Sequence, residues 1–193
     1  MVELERQGKA AMNRLQTVSD SSDIPSPYRG TPIGLLLEYH NLGRTHEPYT
    51  AAPLLIGMCM DNRKHLNIPD NFAFIIRAGG ANLRYSEFKV SYAIAVGGVR
   101  ALALIGHTQC GMVNLVARKE QFVTGLAKNA GWTRQAAEEH FHNYAPMFEI
   151  NNEIDFTLGE VSRLRSRYPA ILIAPMLYRV EDNRLYLIRE VAG

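Results

Sequence analysis

The most informative segment of the sequence is Ala101-Leu102-Ala103-Leu104-Ile105-Gly106-His107-Thr108-Gln109-Cys110. Its first half is continuously apolar and does not alternate, which is typical of a strand buried on both faces of a parallel sheet. An imidazole, His107, and a thiol, Cys110, follow this strand directly. The segment therefore predicts a buried parallel strand that delivers metal-binding or catalytic side chains to its carboxyl end.

Three other runs have the same continuous apolar character: Leu54 to Met60, Phe72 to Ile76 and Ala170 to Tyr178. Helical patterns cover 86–96, a segment after Cys110 that ends near Arg118-Lys119, 133–146 with Thr133 as N-cap and Pro146 as stop, and 150–168. A turn at 181–183 predicts a C-terminal hairpin. Strands that alternate with helices predict an α/β protein with a mainly parallel central β-sheet flanked by helices.

The two ends of the chain and one internal segment stand apart from this alternation. Val2 to Val18 has near-helical apolar spacing, and the turn formers up to Pro32 predict that 1–32 is an N-terminal helical arm with a linker. The segment 119–150 is a possible helical insert. The whole chain, 1–193, is expected to form a single domain.

The amino-acid composition excludes few kinds of partner, and it favours neither nucleic acid nor a membrane. The 193 residues carry 21 basic and 19 acidic side chains, a formal charge of +2, without a block of like charges. This balance gives no footprint for nucleic acid or a membrane surface, and no apolar run approaches the ~18–20 residues of a bilayer span. The first six residues lack the pattern of a secretory signal, so we expect a cytoplasmic protein with neither partner.

Only two cysteines are present, Cys59 and Cys110. Each follows a predicted parallel strand, and the carboxyl ends of such strands meet at the edge of the sheet where ligand sites form. Together with His107 they would make a Cys2His set, which in catalytic zinc sites leaves the fourth position open. A disulfide, inert burial and a Cys110 nucleophile assisted by His107 are the alternatives.

Asp61 and Arg63 follow Cys59 at a spacing of two residues. In an extended segment such residues point to the same side, which allows a bidentate ion pair beside the metal. The pair would keep Asp61 ionised and fixed in orientation. An ordinary surface ion pair is the simpler interpretation.

The paired patterns Cys-x-Asp-x-Arg and His-x-x-Cys resemble the β-class carbonic anhydrases, and the resemblance extends from Leu54 to Leu115. It implies one Zn²⁺ per chain, held by Cys59, His107 and Cys110, with Asp61 and Arg63 as the catalytic pair. Asp61 would be a fourth ligand only in a closed state. Many plant-like members of this family have a substrate-binding glutamine upstream of the first cysteine, and 50–53 offers none, so the sequence is similar to the shorter microbial subgroup.

The resemblance implies reversible hydration of CO2 to bicarbonate by a metal-bound hydroxide. Gly79 and Gly80 would let the backbone approach the pocket, and the Gly111 N–H would steady the anion. Hydrolysis of carbonyl sulfide or carbon disulfide on the same zinc site is the first alternative, and a non-catalytic zinc protein that binds an anion is the second. The apolar helix 86–96, expected to be buried, and the arm predict a homodimer or a dimer-based tetramer.

Overall fold

The computed structural model describes residues 13–190, in which six strands form one sheet. They are β1 (Leu15–Gln16), β2 (Leu54–Met58), β3 (Ala73–Arg77), β4 (Ala101–His107), β5 (Leu172–Arg179) and β6 (Arg184–Ile188). Their order is β1-β6-β5-β4-β2-β3, and β3, β2, β4 and β5 are mutually parallel. The predicted parallel sheet is confirmed, as is the hairpin, since β5 and β6 pair antiparallel around a turn with Asn183 at a φ of 57°.

Within residues 13–190, five α-helices flank the sheet: α1 (Pro32–Leu42), α2 (Glu87–Ala95), α3 (Lys119–Ala130), α4 (Arg134–Phe148) and α5 (Glu153–Arg167). Helix α1 packs on one face, where Leu36 and Leu37 join the inward side chains of the central strands. Helices α2 and α5 cover the other face through Val90 and Leu164. Among the helices of residues 13–190, none has the length and hydropathy that a membrane span requires.

From residue 13 onward, the N-terminal arm differs from the expected helix. Leu15 and Gln16 form a strand that pairs antiparallel with β6, and the Arg189 N–H donates to the Arg14 carbonyl oxygen at 2.8 Å. The prediction of helix for 13–18 is wrong, because pairing with the free edge of β6 overrides a weak local pattern. The rest of the predicted helix, 2–12, lies outside the described residues.

Helix α1 was not predicted, although its signals are present in the sequence. Thr31 is the N-cap, Pro32 occupies the first turn, and Gly43 ends the helix in a left-handed conformation at a φ of 64°. This combination of an N-terminal Thr-Pro and a C-terminal Gly is a typical helix frame. Turn-forming residues lie directly before this helix, so its start at Pro32 was not recognised from the sequence.

Two helix boundaries after Cys110 need correction. The helix expected to end at Arg118-Lys119 begins there instead, after a short 3-10 turn at Leu115–Arg118. Before this turn, a backbone bridge between Val113 and Ile150 and the left-handed Asn114 keep the chain out of a helix. The predicted Thr133 cap is confirmed, but Pro146 lies inside α4 because a proline in the last turn removes only one backbone hydrogen bond.

Helix α2 has the predicted position but not the predicted burial. Within it, Val90 and Ala93 are buried, whereas Phe88 is 81% exposed and Tyr92 is 55% exposed. Full burial is therefore wrong for the single chain. Phe74 of the edge strand β3 is also exposed, at 42%, and lies with Phe88 and Tyr92 along one shallow groove.

Candidate metal centre

The centre lies at the carboxyl edge of two neighbouring parallel strands. Met58, the last residue of β2, is in register with Ile105 of β4, so Cys59 leaves its strand opposite Gly106, one residue before His107. The turn after β4 then returns Cys110 to them. All three side chains are buried, and one ligand atom of each lies within 4.8 Å of the others.

The three donors fit a metal ion of the zinc type. The Sγ atoms of Cys59 and Cys110 are 4.0 Å apart, close to the about 3.8 Å expected for two sulfurs with Zn–S bonds of ~2.3 Å in a tetrahedral site. His107 Nδ1–H donates to the Thr108 carbonyl oxygen at 2.9 Å, which leaves Nε2 with its lone pair free. That Nε2 atom is buried and has no hydrogen-bond partner among the described residues.

The two thiols differ in acidity because they share one hydrogen bond. The hydrogen bond between the two sulfurs lowers the pKa of Cys59. The same hydrogen bond, together with burial, raises the pKa of Cys110. Without a cation the two adjacent thiols do not both ionise easily. A divalent cation bound to both sulfurs would stabilise the two thiolates, so this pair suits such an ion.

Asp61 and Arg63 form the expected ion pair next to these ligands. Arg63 Nη2 donates to Asp61 Oδ2 at 2.8 Å, Nε donates to both carboxylate oxygens at 3.1 and 3.2 Å, and the Arg63 backbone N–H donates to Oδ1 at 2.9 Å. The Arg63 side chain thereby holds the pKa of Asp61 well below its usual range. The Asp61 side chain is 19% exposed and the Arg63 side chain is 45% exposed, so the carboxylate is the more buried partner of an ion pair at the protein surface.

Gln109 joins this pair to the turn between His107 and Cys110. Arg63 Nη1 donates to Gln109 Oε1, and Nη2 donates to the Gln109 carbonyl oxygen, both at 3.1 Å. Gln109 has a φ of 58° and its amide donates to Glu181 at 3.0 Å. The sequence reasoning missed this residue, and no local signal marks it, because its partner lies 46 positions away.

The three candidate anion-binding glycines have unequal surroundings. A Cβ on Gly79 would meet Met112 Sδ at 3.0 Å, and Gly80 has a φ of 62°, so both positions of this turn after β3 favour glycine. A Cβ on Gly111 would meet no atom within 4 Å. Backbone conformation therefore explains Gly80, the contact with the flexible Met112 side chain only disfavours a larger residue at Gly79, and neither reason applies to Gly111.

A cavity of about 270 Å³ lies beside the centre. Met60 and Met112, neighbours of Cys59 and Cys110 in the chain, line one side. The other side is the aromatic wall, which consists of Phe122, His140, Phe141, Tyr144 and Phe148 on α3 and α4. The segment proposed as an insert, 119–150, therefore supplies an apolar wall of this cavity, while its status as an insert stays a prediction.

Solved structures share this architecture. A β-carbonic anhydrase from Trichomonas vaginalis superposes with a TM-score of 0.60 at 19% identity over 78% of this chain and 91% of that one. A carbonic anhydrase from Glaciozyma antarctica gives 0.55 at 23% identity over 72% and 85%. The chain has the fold of the β-carbonic anhydrases.

A third structure with this β-carbonic anhydrase fold has a different activity. It is the apo form of a carbon disulfide hydrolase, which superposes with a TM-score of 0.50 at 20% identity over 75% of this chain and 82% of that one. No protein-family model and no curated protein matches the sequence. At these identities the likeness is one of fold, so the reaction has to be argued from the side chains.

Proposed function

We propose that the protein belongs to the β-carbonic anhydrase family and catalyses the zinc-dependent, reversible hydration of CO2 to bicarbonate. The observation that carries this proposal is the convergence of Cys59, His107 and Cys110, whose ligand atoms lie within 4.8 Å of one another. The unpartnered, buried Nε2 of His107 supports it, because a buried ring nitrogen without a hydrogen bond is costly unless it has a ligand.

One Zn²⁺ per chain would be held by these two thiolates and the neutral imidazole, the Cys2His set of catalytic sites. The ion, once bound, supplies Lewis acidity at its open position and so acidifies a water molecule there. Two thiolates cancel its formal charge, so we expect weaker acidification than in a three-histidine site and activity that rises toward alkaline pH.

Asp61 and Arg63 are the catalytic pair in this proposal. Asp61 stays ionised because Arg63 lowers its pKa, and it accepts a hydrogen bond from the attacking water, whose lone pair then points at the carbon of CO2. Attack of the water oxygen on that carbon gives bicarbonate and one proton, which leaves to solvent. The backbone near Gly79, Gly80 and Gly111 is where we place the departing anion.

A second candidate is hydrolysis of carbonyl sulfide or carbon disulfide on the same site. Two observations favour it as the alternative: the apolar cavity beside Met60 and Met112, and the shared fold with a carbon disulfide hydrolase. A third candidate, a non-catalytic zinc protein that binds an anion, requires Asp61 to be a permanent fourth ligand. The hydrogen bonds from Arg63 to Asp61 weigh against that arrangement.

The test compares CO2 hydration with hydrolysis of carbonyl sulfide and carbon disulfide on the zinc-loaded protein, from mildly acidic to alkaline pH. A Cys110→Ser variant is the matched control, since it removes one ligand and keeps the size of the side chain. We expect CO2 turnover well above this control. Turnover of only the sulfur compounds would assign the second candidate, and no turnover at all would leave the anion-binding protein.

The proposed assembly follows from exposed apolar side chains. The exposed apolar residues Phe74, Phe88 and Tyr92, next to the free edge of β3, support a homodimer or a dimer-based tetramer. A cytoplasmic location stays a prediction from the sequence. A monomeric mass at micromolar concentration in light scattering would contradict the oligomer.

A further inference from the structure

Lys64 is a buried charge that the proposed reaction does not use. It follows Arg63 in the chain, and its side chain is 0% exposed. Removing an ammonium group from water is expensive unless the charge is paired and hydrogen-bonded, and a well-packed apolar residue usually serves a structural role at least as well. The contacts of Lys64 therefore indicate what the charge is for.

Those contacts converge on Asp61. Lys64 Nζ donates to the Asp61 carbonyl oxygen at 2.8 Å and lies 3.7 Å from Asp61 Oδ1. One ammonium group thus touches both the main chain and the carboxylate of the same residue. Arg77 adds to this arrangement, since Nη1 donates to the Asp61 carbonyl oxygen at 3.3 Å and Nη2 to the Lys64 carbonyl oxygen at 3.4 Å.

The charges that face Lys64 come from three elements. Asp61 and Cys59 follow β2, Cys110 follows β4, and all three attract the ammonium group, whereas Arg77 at the end of β3 repels it. Burial lowers the pKa of Lys64, and the negative groups oppose that effect. The cation is therefore held where the only carboxylate within ion-pair distance among the described residues is that of Asp61.

The Asp61 carboxylate has two competing destinations. In the structure the carboxylate accepts four hydrogen bonds from Arg63. Lys64 lies on the buried side of the carboxylate and attracts it in this same orientation. The alternative is the open position of the bound metal, since carboxylate oxygen is a normal zinc ligand. We propose that Lys64 is a positioning residue that keeps Asp61 on Arg63 and so keeps the fourth coordination position free of a protein ligand.

This inference rests on the proposed function, because it requires the metal, and its test reads the metal directly. Co²⁺ replaces zinc, and azide is titrated while the visible d–d bands of the cobalt are recorded. Azide binds at the open position. Its apparent affinity is therefore lower when that position is free in a smaller fraction of the molecules. The readout is independent of turnover.

Four proteins form a double-mutant cycle: the wild type, Lys64→Met, Asp61→Asn and the double variant. In the wild-type background we expect Lys64→Met to weaken azide binding about tenfold, the effect of losing one hydrogen bond to a charged group. In the Asp61→Asn background the same change should alter it less than about twofold, since an amide is a poor competitor for the metal. Lys128→Met, an exposed lysine on α3, is the control and should leave azide binding unchanged.

Two results would overturn the role of Lys64. Equal weakening in both backgrounds would mean that Lys64 acts only as a nearby positive charge, and no weakening in either would mean that it does not act on the site. If circular dichroism shows that Lys64→Met is unfolded, Lys64→Gln takes its place in the cycle, because it keeps an uncharged donor. A wild-type protein that binds neither Co²⁺ nor Zn²⁺ stoichiometrically would instead overturn the proposed function itself.

Discussion

The metal centre and the aromatic wall of the cavity next to it are built in different ways. The metal wall, our name for the side chains of Cys59, Asp61, Arg63, His107 and Cys110, follows the ends of β2 and β4 and is fixed by strand register and charged hydrogen bonds. The aromatic wall is held by ring packing, such as the 5.2 Å between the centroids of Phe122 and Phe141. Strand ends give the precise placement that chemistry needs, while a helix pair gives an apolar surface that tolerates change.

The largest effect should come from removing a donor of the metal wall. We expect His107→Ala to lose metal affinity by more than about 100-fold, beyond the 10–100-fold typical of partners that only orient a ligand. The measurement is zinc per chain after dialysis against a weak chelator. His142→Ala, an exposed histidine on α4, is the matched control and should keep its zinc. Full zinc retention by His107→Ala would remove the basis of the metal wall.

Asp61→Asn should separate catalysis from metal binding. We expect kcat/KM for CO2 to fall about 100-fold, the scale of a lost positioned acid or base, because an amide cannot accept the same charged hydrogen bond from water. Zinc content should stay at one per chain. Unchanged turnover would reduce the contacts between Arg63 and Asp61 to a structural ion pair.

Phe141→Ala, on the aromatic wall, should have the opposite effect to Asp61→Asn: it should lower stability and leave turnover nearly unchanged. Phe141 is 7% exposed, and its truncation leaves a void against Phe122, so we expect the free energy of unfolding to fall by about 3 kcal/mol. Urea unfolding of the zinc-loaded protein measures it. CO2 turnover per folded molecule should change less than about threefold, since the side chains that hold Asp61 and Arg63 in place do not come from α3 or α4. A large loss of turnover at unchanged stability would contradict this division.

The same division explains what the sequence could predict. Continuous apolar runs are a strong signal, so four parallel strands and the approach of Cys59, His107 and Cys110 at one edge followed from the residues alone. Asp61 and Arg63 were found because they are near in the chain. The described part of the arm and the start of α3 were missed because pairing with β6 and the bridge from Val113 to Ile150 are contacts over long sequence distances.

Lys64 and Gln109 were missed for a related reason. Nothing in the pattern around Lys64 distinguishes a buried lysine from a solvated one, and burial appears only when the strands assemble. The partner of Gln109 is Arg63, which belongs to another loop. Gln109 supports Arg63 from another loop and therefore follows no local spacing rule, whereas His107 and Cys110, the candidate ligands on one turn, do.

Gln109 gives the smallest effect and the finest test of how the metal wall is fixed. Gln109→Met removes the side-chain acceptor of Arg63 Nη1, yet the Gln109 carbonyl oxygen still accepts from Nη2. Methionine, like glutamine, is unbranched at Cβ and adds no strain at a φ of 58°. The backbone conformation at this position should therefore stay the same. Because one of several hydrogen bonds is lost, we expect kcat/KM for CO2 to fall only about fivefold.

A second substitution at Gln109 separates its two contacts. Gln109→Glu keeps an acceptor for Arg63 but places a carboxylate where the amide now donates to Glu181. We expect it to recover turnover relative to Gln109→Met and to lower the melting temperature, since like charges then face each other. Gln135→Met, on the exposed face of α4, controls for the added thioether. If Gln109→Met matches the wild type, Arg63 is held by Asp61 and the Gln109 carbonyl oxygen, and the Gln109 side chain does not help to fix the metal wall.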